Sequence, residues 1–224
     1  MLWYGSVVPR PRLHDLDALM DAAESLAVDS GASAVTIRAM SERTSISNGA
    51  IYHAFGSRAG LLGRVWVRDA RRMLTLQNDA VTTALEHRPG RDSAVRAVVA
   101  AADAPAAFLA ESPVAARFLM TVSRRELLGT DDLPDEVAAD LRTLDETLAA
   151  LLVQLSRALW NRADRESVAV VKDCVVGLPT ALLLRGTTSP DIAARERLAA
   201  AVRGILALPP PTTDHAPPTR KASS

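Results

Sequence analysis

Between Thr36 and Arg58 the apolar residues fall at Ile37, Met40, Ile46, Ile51 and Phe55. They form two short runs of helical spacing separated by the polar pair Thr44-Ser45. Thr36 and Ser47 stand where helix N-caps are wanted, each with a hydroxyl able to accept from a backbone N–H two or three residues on. The pattern predicts a helix over 36–43, a tight turn at 44–46 and a second helix over 47–55, a helix-turn-helix. Upstream, Leu16, Leu19, Ala23, Leu26 and Ala27 mark the buried face of a helix from about Asp15 to Ser30, with Gly31 as its C-cap. Together these predict a three-helix head over 13–57.

The pattern then lengthens. Leu61, Leu62, Val65, Met73 and Leu76 predict a helix from Ser57 or Arg58 to about Glu86, with Trp66 packing at the junction of head and body. Asp92 caps a helix to about Ala110 that Pro105 should interrupt or kink. Pro113 opens another at its first position, ending near Leu127, and GTDDLP follows as a loop. Val137, Leu141, Leu144, Leu148, Leu151, Leu155 and Leu159 recur at spacings of three and four, the most regular stripe in the chain. Helices at about 165–185, bent at Pro179, and 190–207 complete an all-α chain of about nine helices, with a helical body over 58–207. Residues 1–12 read as a flexible arm carrying Arg10 and Arg12. Residues 208–224, rich in proline and without periodicity, read as a disordered tail.

If Ile51 and Phe55 are buried, Asn48, Gly49, Ala50, Tyr52 and His53 face outward. That set suits a DNA groove: an amide to read base edges, small residues for close approach, and polar aromatics beside phosphates. SNGAIYHAFGSRAGLL closely resembles the recognition-helix signature of tetracycline-repressor-like (TetR-type) regulators, and GASAVTIRAMSER resembles the segment before it. The resemblance runs from Gly31 to Leu62. It departs from the family at Thr44-Ser45, where Ala-Gly is usual, and at Arg58, where Lys is usual. The resemblance implies DNA contacts at Thr36, Arg38, Ser47, Asn48, Gly49, Ala50, Tyr52, His53 and Arg58. Tyr52, His53 and Arg58 are among the positions it assigns to phosphates. It also implies that the fourth helix transmits changes in the body to the head, and that the last two helices pair with their copies as a four-helix bundle.

Composition narrows the alternatives. Hydrophobic content of 48% with 23% charged residues is ordinary for a globular protein. Aromatics at 4% leave Ala, Leu and Val to build the core, which favours close helix-on-helix packing. The formal net charge is zero, yet residues 36–72 hold seven Arg against Glu42 and Asp69, a net +5. Positive charge so placed is what DNA binding asks. Cys174, the single cysteine, has no partner for a disulfide and reads as an inert buried thiol; no metal-ligand spacing occurs. No apolar run approaches a membrane span and no signal peptide is evident, so a cytoplasmic location is expected.

The body offers no catalytic arrangement: no G-x-S-x-G, no phosphate loop, and only His87 and His215 as bases beyond the head. A non-enzyme without cofactor or metal is expected. Two uses remain for so much apolar helix. One is a homodimer interface drawn from Val168, Val171, Val175, Leu178, Leu182, Val202 and Leu206, with Ala193, Ala194, Ala200 and Ala201 permitting close approach. The other is a cavity for a largely apolar effector, with Phe108, Phe118, Met120, Leu148, Leu152 and Trp160 as walls and Arg117, Arg124 and Gln154 as polar contacts. The reading is a homodimeric regulator released from a pseudo-palindromic operator by a small molecule; the alternative is a DNA-binding dimer without small-molecule control.

Overall fold

A computed structural model describes residues 13–86, 90–183 and 191–210. The arm at 1–12, His87 and the tail beyond 210, including His215, lie outside the described residues. Among those described there are eleven α-helices and no strand. The head holds α1 (Leu13–Ser30), α2 (Ile37–Thr44) and α3 (Asn48–Phe55), with a 3₁₀ turn over Ala32–Ala34 between the first two. The long α4 (Arg58–Glu86) follows, then α5 (Arg91–Glu111), α6 (Pro113–Thr121), α7 (Arg124–Leu128) and α8 (Asp135–Trp160). The chain ends in α9 (Arg165–Lys172), α10 (Leu178–Leu182) and α11 (Ile192–Ala207).

The chain divides into two compact units. One unit joins residues 1–76 to 105–148; the other joins 77–104 to 149–224. In the first, Leu19, Ala23 and Ala27 of α1 are sealed against Met40, Ile51 and Phe55 of the helix-turn-helix and Leu61, Leu62 and Val65 of α4. Phe118, Val122 and Leu127 enter this same core. A fully buried phenylalanine is worth roughly 1.5–3 kcal/mol in transfer alone, so α6 is part of what holds the head together. A second cluster sets Val137, Leu141 and Leu144 of α8 against Val67, Ala70 and Leu74 of α4. α4 and α8 meet closely there, since a Cβ on Gly63 would lie 2.6 Å from Val137 Cγ1; at the end of α3, one on Gly60 would lie 2.0 Å from Phe55 O.

Two expected helices are divided. The helix expected to run from Pro113 to Leu127 breaks at Val122, whose backbone is extended. Trp66 Nε1 donates to Val122 O at 3.2 Å, and Ser123 restarts the helix by accepting from Glu126 N. The first device depends on a residue 56 positions away that periodicity cannot show; the second is a local Ser-x-x-Glu cap. The helix expected at 165–185 is divided into α9, a π-helical segment over Asp173–Gly177, and α10. Pro179 lacks the N–H that would continue the ladder, and the wider π turn absorbs the mismatch. α5, by contrast, stays one helix through Pro105.

α5 also meets the length and composition of a membrane span, with a mean hydropathy of 1.4 over its best window, contrary to the expectation that no stretch approaches one. Its Ala94, Ala97, Val98, Ala101 and Ala102 are buried within the protein, so a core helix accounts for it.

In the second unit Asp103 of α5 pairs with Arg195 of α11, Arg91 Nη2 donates to Leu206 O at 2.9 Å, and Gln77 Nε2 donates to Ala101 O at 2.8 Å. Leu151 and Leu155 of α8, Val171, Val175, Leu198, Val202 and Leu206 are buried. Cys174 is buried too, and burial pushes its thiol up to about 11, which keeps it protonated and unreactive.

Candidate nucleic-acid interface

The helix-turn-helix is assembled by local hydrogen bonds. Thr36 Oγ1 accepts from Ala39 N at 3.1 Å and starts α2; Ser47 Oγ accepts from Ala50 N at 3.3 Å and starts α3. Capping uses each hydroxyl oxygen as an acceptor and leaves its O–H as a donor, the half a phosphate requires. In the turn, Ser45 adopts φ 59, ψ 15, a left-handed conformation that usually falls to Gly or Asn. Thr44 braces it: Oγ1 donates to Met40 O at 2.7 Å and accepts from Ile46 N at 3.4 Å. A side chain thus does locally what the Ala-Gly turn of the family does by conformational freedom.

α3 is anchored by Ile51 and Phe55, which are 1% and 3% exposed. The opposite face carries exposed Asn48, Gly49, Tyr52 and His53, with Ala50 half-buried. A Cβ on Gly49 would meet nothing within 4 Å, so the helix start offers open space to an approaching surface. Arg38 is exposed and paired with Glu42 at 2.9 Å, and Arg43 is exposed beside the turn. All nine residues assigned to DNA by resemblance lie on α2, α3 or their caps and the start of α4.

Arg58 has a task that nothing in the sequence announces. Its Nε donates to Val35 O at 2.5 Å and its Nη2 to Ala32 O. Two donors of the guanidinium therefore tie the start of α4 to the backbone of the 3₁₀ turn and of the residue after it.

The positive charge counted along residues 36–72 is also redistributed. Arg64 pairs with Glu136, Arg71 with Asp140, and Arg68 with Asp21, Glu24 and Asp69. Most of these acids come from α1 and α8, outside the stretch in which the charge was counted. The arginines toward the helix-turn-helix are Arg38, paired with Glu42, Arg58, bound to backbone carbonyls, and the exposed Arg43.

Residues 19–65 match the family described as bacterial regulatory proteins, tetR family. The helix-turn-helix of the head is thus similar to that of the tetR family. Solved structures extend the likeness in fold beyond the head. The TetR-family transcriptional regulator PfmR from Thermus thermophilus is 18% identical, over 85% of this chain and 94% of that one, with a TM-score of 0.57. A regulatory protein of the tetR family from Rhodococcus RHA1 is 18% identical over 86% and 95%, with a TM-score of 0.60. The superantigen PfiT is 16% identical over 85% and 95%, with a TM-score of 0.63. A superantigen among these neighbours shows that the fold alone does not settle function; the head carries that argument. No curated protein matches the chain.

The nominated effector residues are distributed over both units. Phe118 is core beneath α1, and Phe108 packs with Leu109, Ala115 and Ala116. Arg117, Met120 and Gln154 are exposed, and Leu148 lies against the α4–α8 cluster. Phe108, Arg117, Phe118, Met120 and Leu148 fall in the first unit; Leu152, Gln154 and Trp160 fall in the second. Apolar residues at helical spacing look alike from sequence whether they fill a core or line a cavity. A groove of about 410 Å³ in the first unit is lined by Met20, Arg64, Val67, Arg68, Arg71 and Asp140, none of them nominated.

The nominated dimer residues all fall in the second unit and differ in burial. Val171, Val175, Val202 and Leu206 are buried inside the protomer, so they serve its own core. Val168 and Leu178 are half-buried and Leu182 is exposed. The outer face of α11 instead presents exposed Ala193, Ala200, Gly204 and Ala207.

Proposed function

We propose that this protein is a homodimeric repressor that binds a pseudo-palindromic operator and leaves it when a small molecule binds the body. The observation that carries the DNA half is the open face of α3. Asn48, Gly49, Tyr52 and His53 are exposed on a helix held from behind by Ile51 and Phe55, within a head similar to that of the tetR family. Asn48 at the helix start reads a base edge, adenine being the usual partner of an amide. Thr36, Ser47, Tyr52, His53 and Arg43 hold phosphates, which give affinity without sequence information. Two such heads reach successive major grooves when about 34–36 Å apart.

Dimerisation is assigned to the exposed small residues of α11, which permit close approach of a copy, with Val168, Leu178 and Leu182 at its border. For the effector, support comes from the second unit, where Gln77 Oε1, Ser156 Oγ and Trp160 Nε1 are buried without hydrogen-bond partners. Ser156 and Trp160 stand one turn apart on α8, with Leu152 a turn before them. Buried polar groups in folded proteins are nearly always paired, so this face favours a ligand that accepts from the indole and supplies a polar group to the hydroxyl. The effector is then less apolar than the composition implies.

The test is selection of duplex fragments from a random pool by the purified full chain. Enrichment of an inverted repeat supports the reading. Binding that remains independent of sequence at every salt concentration removes the operator, and with it the repressor.

A further inference from the structure

Arg68, in the first half of α4, gathers an unusual number of acids. Its Nη1 donates to Asp21 Oδ1 at 2.6 Å, its Nη2 to Glu24 Oε2 at 2.5 Å and its Nε to Asp69 Oδ1 at 3.1 Å. Asp21 and Glu24 belong to α1; Asp69 is Arg68's own neighbour on α4. Arg72, one turn on, lies 3.8 Å from Asp69 Oδ1 and donates to Ser112 Oγ. The side chains of Asp69 and Glu24 are 0% and 8% exposed. Asp69 Oδ2 is buried and has no hydrogen-bond partner.

Asp21 and Arg72 are 67% and 52% exposed and are screened by water; the groups held away from it are Glu24, Asp69 and Arg68, which with all three ionised leave one excess negative charge. Burial is the main cause that pushes both Glu24 and Asp69 above the ordinary carboxylate range. Mutual repulsion adds to it at Glu24, while Arg68 opposes it at both. Burial also works against Arg68's charge, but the surrounding acids outweigh it and keep the guanidinium charged. One proton, carried by either Glu24 or Asp69, brings these three groups to neutrality. The groove lined by Arg68, Arg64, Arg71, Met20, Val67 and Asp140 brings solvent to the Arg68 side of the cluster. The other charges on the groove, Arg64 with Glu136 and Arg71 with Asp140, are exposed pairs that balance each other.

We propose that Arg68 is a positioning residue in a proton-released clamp, holding α1 on α4 while the cluster keeps its proton and loosening when that proton leaves. The consequence for DNA rests on the operator-binding reading above. α1 shares its core with α2 and α3 through Leu19, Met40 and Ile51, so its seat on α4 sets the aim of the recognition helix. Both carboxyls hold protons more tightly folded than unfolded. The stabilisation is therefore full at acid pH and is lost as pH rises through the folded values, from the ordinary carboxylate range upward.

The experiment measures melting temperature and affinity for a mixed-sequence DNA duplex from about pH 5 to about pH 8 in the full chain, with Glu24→Gln, Asp69→Asn and, as control, Asp140→Asn. The wild type and the control are expected to melt lower as pH rises, and both cluster variants to lose most of that slope. Duplex affinity should fall by up to about tenfold per pH unit more in the wild type than in the cluster variants. Should Asp69→Asn fail to fold, Glu24→Gln carries the comparison. Equal melting slopes in wild type and cluster variants overturn the clamp. Different melting slopes with parallel DNA profiles leave a proton-linked core but overturn its link to binding. Absence of duplex binding at any pH strikes the operator reading instead, and the melting slopes then decide the clamp alone.

Discussion

Ser45 holds φ 59 in a turn whose family form places Gly there. A left-handed residue with a Cβ is strained by about 1–2 kcal/mol, part of which Gly returns as backbone entropy. Ser45→Gly is therefore expected to stabilise the protein by roughly 0.5–1 kcal/mol in denaturant unfolding; a lower midpoint would mean that Ser45 makes contacts worth more than the strain. Asn48 and Arg58 separate reading from holding. Asn48→Ala should cost on the order of 1–3 kcal/mol at the operator and relax preference at one position in each half-site. Uniform loss across single-base variants would reduce Asn48 to a helix-start residue, a place Asn favours anyway. Arg58→Ala should act mainly on stability, by about 1–3 kcal/mol, because it removes two hydrogen bonds from a charged donor to Val35 and Ala32. If the variant instead melts like wild type and the salt slope of binding drops by about one unit, Arg58 is a phosphate contact first.

Among the helices, α6 decides how the head is supported. Phe118 is fully buried in the head core although it lies far beyond α3 in sequence. Phe118→Ala should destabilise the protein by about 3–5 kcal/mol, the range for a large side chain removed from a packed site. Hydrogen exchange should show the loss in α1 as well as in α6. Protection unchanged in α1 would mean that the head is held by its own three helices and α4. The break at Val122 belongs to the same arrangement, since Trp66 and the α7 cap at Ser123 turn the chain so that Leu127 also reaches this core.

For the whole molecule the question is assembly. The buried valines of α9, the π segment and α11 cannot serve an interface without unfolding the protomer, whereas Ala200 and Gly204 lie open on α11. Ala200→Glu should leave the melting of the monomer unit nearly unchanged, because exposed substitutions usually shift stability by less than about 0.5 kcal/mol. Across an interface the same side chain would bury an unpaired charge. Light scattering should then report a monomer, with operator affinity lost because one half-site alone is held. A dimer that persists would move the interface off this face of α11.

Some of this was determined by the sequence alone. The head was legible because its structure is local: caps at Thr36 and Ser47, the polar break at Thr44-Ser45, and the spacing of Ile51 and Phe55 act within a few residues. The length of α4 and the leucine stripe of α8 were legible for the same reason. Periodicity distinguishes buried from exposed positions, but it does not say what buries them. Val171 and Val202 could as well have faced a copy as their own core, and Phe118 a cavity as the head. Only the tertiary structure decided between these, because each outcome depends on which distant helix supplies the other wall. The charges behave likewise. A local count made the 36–72 stretch strongly positive, while folding set Glu24 and Asp21 from α1 against Arg68 and Asp140 and Glu136 from α8 against its neighbours. Electrostatic energy follows distance in space, and most of these partners are 44 to 72 residues away along the chain.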